Sequence, residues 1–285
     1  TFQAHCDLWG IFFMDLPLSQ ENPLRKNASS SLSRRQVVSM GLGLFASAEM
    51  ASIPLAHAAT PPRTFVLVHG AWHGGWCWRR VAERLTAKGH YVVAPTLSGV
   101  GERSHLPPGP IDLSTQIDDV VGEIKWKDLD GIVLVGHSYG GMVITGVAEQ
   151  LRNRISAIVY LDAFLPADGQ SLFDITHTTP PAIPTIPSHP ASYFHVNAAD
   201  SSWVDSKLTP HPTGCFTEKL KVSGAYQSIA SKVYLRAPLF KMPAFDGFLE
   251  QCRADHSWKT ETVTSGHDVM IDEPDVLTAI LEKLA

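Results

Sequence analysis

Gly136-His137-Ser138-Tyr139-Gly140 sets a serine in a Gly-x-Ser-x-Gly pattern, directly after the apolar run 132–135 and directly before a stretch with helical spacing. A strand-to-helix turn this sharp strains the backbone of its central residue, and the flanking glycines leave room for it. The serine hydroxyl is then held clear of the sheet at a helix N-terminus, where the dipole favours developing negative charge. Chance alone produces such a pattern in a chain of this length with a probability of about 0.1, so its setting between strand and helix is what makes it specific. The chemistry expected is attack by the Ser138 oxygen on a carbonyl carbon.

A serine hydroxyl needs a base to take its proton, and behind an elbow of this kind the base follows the last strand. Ser265-Gly266-His267-Asp268 occupies that place, ahead of a closing helix. Most other histidines fall in loops, where exposure is the ordinary expectation. The loop His69-Gly70-Ala71-Trp72-His73-Gly74-Gly75 follows the first strand and would donate one backbone N–H to a developing oxyanion, the residue after the nucleophile donating the other. The expected donors are Ala71 and Tyr139. A phosphate loop is the competing reading, but neither G-K-[ST] nor G-x-G-x-x-G is present. Trp72, His73 and Phe164 are expected to touch substrate.

Short β-branched runs alternating with amphipathic stretches from Arg63 onward would position these residues, and that alternation predicts a parallel sheet with crossover helices. Strands are expected at 64–68, 90–94, 132–135, 155–161, 232–235 and near 260–264. Helices are expected over about 77–88, 112–124, 140–151, 245–253 and from Asp275 onward. Between the fourth and fifth strands, residues 164–223 are rich in Pro, Ser, Thr and His, with Phe173, Phe194, Trp203 and Phe216 among them. An insertion of this length predicts a lid over the site.

The chain has 285 residues, 44% hydrophobic and 18% charged, enough to bury a core without a disulfide or metal staple. Its net charge of −5 and lack of a basic, aromatic-interleaved stretch argue against nucleic acid as a partner. No metal motif occurs, and no cofactor is required by the chemistry above. Cys6, Cys77, Cys215 and Cys252 are widely spaced; buried thiols are expected, with a Cys215–Cys252 disulfide as the alternative for an exported protein. Arg34-Arg35 precedes a weakly apolar Gly- and Ala-rich run ending in Ala56-His57-Ala58, so residues 1–58 resemble a twin-arginine export signal with a peptidase site. The run is too polar for a committed membrane span. The expectation is a mature chain 59–285, exported to the periplasm or secreted, with no stable membrane insertion. Residues 1 to about 30 match no element.

The segment 65–76 (Phe-Val-Leu-Val-His-Gly-Ala-Trp-His-Gly-Gly-Trp), Gly136-His-Ser-Tyr-Gly140 and Gly266-His267 together resemble the α/β-hydrolases of the group that includes plant methyl esterases and hydroxynitrile lyases. The resemblance implies an α/β-hydrolase fold: a mostly parallel, doubly wound sheet with its lid, or cap, between the strand ending at Asp162 and the strand at Lys232. The lyases of that group carry a threonine in the first loop and a lysine directly after the catalytic histidine. Gly70 and Asp268 stand at those positions, which argues for hydrolysis over cyanohydrin chemistry. The usual place for the acid that supports the histidine falls near Phe240, where no carboxylate occurs. Some members of the superfamily place it one strand earlier, which points to Asp162, a carboxylate costly to bury unless His267 partners it; Asp246 is the other candidate.

The activity expected is hydrolysis of carboxylic esters of small hydrophobic substrates through an acyl-enzyme, with amides or carbamates within the same chemistry. A carbon–carbon bond hydrolase or lyase on the same scaffold, and a non-catalytic small-molecule binding protein, are the alternatives.

Overall fold

The structure is a computed structural model, and it describes residues 61–284; the export-signal expectation for 1–58 lies outside the described residues. In chain order the first part runs β1 (Thr64–Val68), α1 (Arg79–Ala87), β2 (Tyr91–Val93), α2 (Leu113–Trp126), β3 (Ile132–His137), α3 (Gly140–Leu151) and β4 (Ile155–Leu161). The insertion holds α4 (Leu172–Thr176), β5 (Thr185–Ile186), α5 (Ala198–Asp205), β6 (His211–Pro212) and α6 (Gly214–Thr217). The chain closes with β7 (Ser231–Arg236), α7 (Pro243–Ala254), β8 (Trp258–Thr262), α8 (Val269–Asp272) and α9 (Pro274–Glu282).

Six strands form one sheet in the order β2-β1-β3-β4-β7-β8, every neighbouring pair parallel. Strand residues alternate between two apolar layers. Val66, Val68, Leu134, Ile158, Tyr160 and Tyr234 face the layer that holds residues of α2, α3 and α7. Phe65, Leu67, Val133, Val135, Val159 and Leu235 face the layer that holds residues of α1, α8 and α9. Burial on both faces explains why the central strands read as unbroken apolar runs. The chain steps outward from β1 to β2 and then crosses back to β3, so strand order reverses between β1 and β3. In open α/β sheets that reversal opens a crevice at the strands' C-terminal ends. The loops carrying Ala71 and Ser138 both leave the sheet there.

The sequence-based boundaries shift in places. The last strand starts at Trp258, two residues before the expected Thr260, and the exposed Lys259 and Glu261 within it fit an edge strand. Helix α7 starts at Pro243, whose fixed φ suits the first helical position. The insertion is more ordered than its composition suggests. Ser171 with Asp174 and Asn197 with Asp200 cap its two longer helices, and Thr185–Ile186 pairs antiparallel with residues 211 and 212. Cys77, Cys215 and Cys252 are buried free thiols, which removes the disulfide alternative. Among the described residues no helix is long and apolar enough to cross a membrane.

Candidate active site

Ser138 has φ of +54°, left-handed backbone that a non-glycine residue adopts only where its surroundings enforce it. The enforcement is close packing: a Cβ on Gly136 would lie 2.7 Å from the Gly140 carbonyl oxygen, and one on Gly140 would lie 2.7 Å from that of His69. The Ser138 N–H donates to the Leu161 carbonyl at 3.2 Å, tying the turn to the end of β4.

Asp162 follows β4 directly, is fully buried and also has positive φ, +43°. Its Oδ2 accepts from His267 Nδ1 at 2.6 Å, which leaves Nε2 of that ring free to act as a base. Oδ1 accepts from Arg236 Nη1 at 2.6 Å and from the Ala237 N–H at 3.0 Å. The His267 N–H donates to the Phe194 carbonyl at 2.8 Å, so the insertion helps to fix the histidine. Asp246, the other candidate acid, has a side chain 60% exposed on α7 and accepts from Arg236 Nε. The structure therefore brings Asp162, and not Asp246, to His267.

Four further histidines around the crevice, His69, His73, His137 and His211, are buried, where exposure was the ordinary expectation for loop histidines other than His73. Burial lowers the pKa of His69 to about 4, so the ring is neutral. It spans the Gly70 carbonyl at Nδ1, 2.8 Å, and accepts from the Leu97 N–H at Nε2, 3.0 Å. Nδ1 is thereby the donor, and the Gly70 carbonyl it holds belongs to the same peptide as the Ala71 N–H. The next peptide is held at both ends: its carbonyl, Ala71 O, accepts from His73 Nδ1 at 2.8 Å, and its N–H, that of Trp72, donates to His211 Nδ1 at 3.1 Å. Burial holds His211 well below the ordinary imidazole range, consistent with an accepting Nδ1. Among the described residues neither the Ala71 nor the Tyr139 N–H is committed to a hydrogen bond with another backbone or side-chain group.

His73 departs from its expected place. Its ring is 1% exposed and turned from the cavity, with Nε2 3.0 Å from Asp268 Oδ2. Burial disfavours its charge, but the Asp268 carboxylate outweighs that and raises its pKa. Burial likewise opposes charge on Asp268, yet His73 holds the carboxyl down at about 2. Asp268 is thus an ion-pair partner as well as an anion where the lyases have a cation. His137, held neutral by burial and by the nearby His267, donates from Nε2 to the His267 carbonyl at 3.0 Å. Sequence reasoning missed Arg236 and His137. Arg236 ends an apolar strand as Asp162 does, and the same cost of burial applied to it would have pointed to an anionic partner.

Ser138 and His267 share one cavity of about 120 Å³, with Ala71, Trp72, Tyr139 and Phe164 in its wall. Phe240 and Phe245 close it from the β7 side, and Leu172, Tyr193 and Phe194 close it from the insertion. The Phe240 ring stacks on His267 with centroids 4.4 Å apart. Larger surface hollows of about 290 and 440 Å³ lie between α2 and α3 and beside α7, and none of these site residues lines either. Among the described residues no group of three His, Cys, Asp or Glu side chains is arranged to hold a metal.

Residues 65–280 match the model of the alpha/beta hydrolase family. A carbendazim hydrolyzing esterase from Nocardioides sp. (strain SG-4G) is 39% identical over 239 residues, 78% of this chain and 98% of that protein. Methylesterase 1 of Arabidopsis thaliana is 31% identical over 149 residues, 52% of this chain and 51% of that protein. Among solved structures, an extracellular alpha/beta-hydrolase from a Paenibacillus species superposes with a TM-score of 0.65 at 28% identity, over 79% of this chain and 99% of that one.

Proposed function

The chain belongs to the alpha/beta hydrolase family and is a carboxylic ester hydrolase, and from that premise we propose that Ser138, His267 and Asp162 carry the reaction. His267 Nε2 takes the Ser138 proton as the oxygen attacks the ester carbonyl, and Asp162 holds the tautomer and stabilises the imidazolium. The Ala71 and Tyr139 N–H groups receive the oxyanion, each contributing on the order of 10²–10³ in rate. His267 then protonates the leaving alcohol and activates the water that releases the acyl group. The observation that carries this reading is the 2.6 Å bond between His267 and Asp162 beside a cavity that also holds the strained serine.

The substrate proposed is a small, largely apolar ester. An apolar cavity of roughly 150 Å³ holds a benzene ring, and the cavity here, open at a mouth, is smaller at about 120 Å³. A short alkyl group therefore fits beside Ser138, with the rest of the ester, an aryl ring included, leaving through the mouth. Amides and carbamates fall within the same chemistry. Trp72 and Phe164 line the acyl site, and residues 164–223 act as its lid. Carbendazim, named for the 39% identical relative, belongs in the substrate panel.

A fluorophosphonate probe tests the reading: it labels Ser138 in the wild type and not in Ser138→Ala, and the labelled protein loses turnover of p-nitrophenyl esters. No labelling, or labelling without turnover of any activated ester, overturns it.

Export is the second part of the proposal, supported by Arg34-Arg35, the run to Ala58 and the extracellular relative. N-terminal sequencing of exported protein starting at Ala59, and cytoplasmic retention of a double Lys substitution at positions 34 and 35, are the expected results.

A further inference from the structure

Asp162 follows β4 and His267 follows β8, and β7 lies between those two strands. The carboxylate must therefore reach its histidine across the end of β7, where the last residue is Arg236. That side chain is 1% exposed and makes four hydrogen bonds. Nη1 donates to Asp162 Oδ1 and to the Ala237 carbonyl, both at 2.6 Å. Nη2 donates to the Phe240 carbonyl at 2.8 Å, and Nε to Asp246 Oδ1 at 2.8 Å. One buried fork thus holds the acid and also the backbone of the ring stacked on His267.

We infer that Arg236 is a positioning residue for the acid–base pair: it holds Asp162 against His267 across β7, and its charge moderates the pull of that carboxylate on the imidazole. A cation needed only for folding would be satisfied by Asp246 and two carbonyls. Arg236 instead sits on the carboxylate oxygen opposite the one bonded to His267, where it competes for the same negative charge. Asp246, largely in solvent, takes part of the guanidinium's charge and so tempers that competition.

The titratable groups around His267 include Tyr139, His189 and Tyr193 in the wall of the shared cavity. Asp162 bonds the His267 Nδ1 from the β4 end, Arg236 lies behind Asp162 at the β7 end and pairs in turn with Asp246, His137 at the end of β3 bonds the His267 carbonyl, and Asp268 follows His267 in the chain. His73 stands behind Asp268, His195 lies beside Phe194, and Ser138 is across the cavity. Arg236 is the cation in contact with Asp162, so its removal has a defined sign. Without it the protonated imidazole is favoured, and the pH at which the base becomes active rises.

The inference rests on Asp162 acting as the acid, and the test separates the two. The acid limb of kcat/KM against pH is measured on an activated ester for wild type, Arg236→Gln, Arg236→Lys, Asp246→Asn and Asp162→Asn. The Gln variant is expected to lose at least about tenfold in kcat with its limb raised by roughly one pH unit. The Lys variant keeps the charge but not the fork, so it loses rate with a limb near that of wild type. Asp246→Asn frees more of the guanidinium's charge for Asp162 and shifts the limb down by a few tenths of a unit, roughly the effect of a solvent-screened charge. An Arg236→Gln limb at the wild-type pH overturns the inference; if that variant does not fold, an unmoved limb in Asp246→Asn does so. Asp162→Asn retaining more than about a tenth of wild-type activity overturns the acid assignment, and the role of Arg236 with it.

Discussion

Asp268 Oδ2 lies 3.0 Å from His73 Nε2, a bond that spans 195 positions of sequence and ties the residue after His267 to the loop after β1. Both side chains are almost wholly enclosed. His73 also holds the Ala71 carbonyl, so the segment expected to receive the oxyanion and the segment carrying His267 are joined through one buried ion pair.

The pair gives stability a pH dependence on both sides. Asp268 is held at about 2, below its unfolded value of about 3.9, so its contribution is present above about pH 4 and is lost as pH falls toward 2. His73 is raised, so its contribution is full below about pH 6.5 and is lost as pH climbs through the raised value. Asp268→Asn leaves a buried charge without its partner and should cost about 3–5 kcal/mol between pH 4 and 6.5. Urea midpoints from pH 2.5 to 9 would show that cost shrinking at both ends; a cost independent of pH would sink the ion-pair account.

The two candidate acids should separate cleanly. Asp162→Asn turns a pure acceptor into a group that can hold the wrong tautomer of His267, and losses of about 10⁴ in kcat are known for such a change in a serine–histidine–aspartate enzyme. Asp246→Asn, acting only through Arg236, should keep plateau kcat within roughly threefold. Fluorophosphonate labelling of Ser138 should slow in parallel with kcat. Equal losses in both variants would count against the assignment.

The Gly-x-Ser-x-Gly turn, the placing of His267 and the strand order along the chain were legible because each depends on short-range pattern: apolar runs of strand length, glycines around a serine, a histidine between the last strand and the last helix. The carboxylate that meets His267 was legible only as a choice between Asp162 and Asp246, since the choice turns on which strand ends meet in space. The partners of Asp268, Arg236 and His137 were not legible. Asp268 read simply as an anion in a lysine's place, because its cation, His73, lies in a loop near the other end of the domain. His73 itself read as a substrate contact because it sits one residue from Trp72, which does line the cavity. Local sequence places a side chain on a loop, and packing decides which way it turns.

Cavity volume should set the range of acyl groups. Leu172 lies on α4 in the insertion, is only partly buried, and lines the cavity beside Tyr193 and Phe194. Leu172→Ala removes three carbons from the wall without touching His267 or Ser138. Relative kcat/KM for a hexanoate over an acetate ester should rise by about tenfold, the worth of nearly two further methylenes buried at roughly 0.8 kcal/mol each. A p-nitrophenyl ester series measures this; unchanged chain-length preference would mean that the acyl group binds elsewhere.

Gly70→Thr recreates the residue that the related lyases carry in the first loop, and the packing predicts that it damages this site. A Cβ there would lie 2.9 Å from His137 Nδ1 and 2.9 Å from Ser138 Cβ. His137 cannot withdraw freely, because its Nε2 holds the His267 carbonyl at 3.0 Å. Ser138 cannot either, because its backbone is fixed by the glycines on both sides. The added atoms must displace Ser138, or His137 and through it His267, at a cost of about 1–3 kcal/mol in stability and, since small displacements at a reacting centre are costly, about 10²-fold in kcat. Gly70→Ala places the same Cβ without the hydroxyl and should lose nearly as much. Neither variant should release cyanide from a cyanohydrin, because Asp268 and its bonded His73 occupy the place of the lyases' lysine. Ester turnover and cyanide release, measured side by side, decide the matter: a threonine variant with wild-type esterase activity would show that the loop yields, and the packing argument would fail.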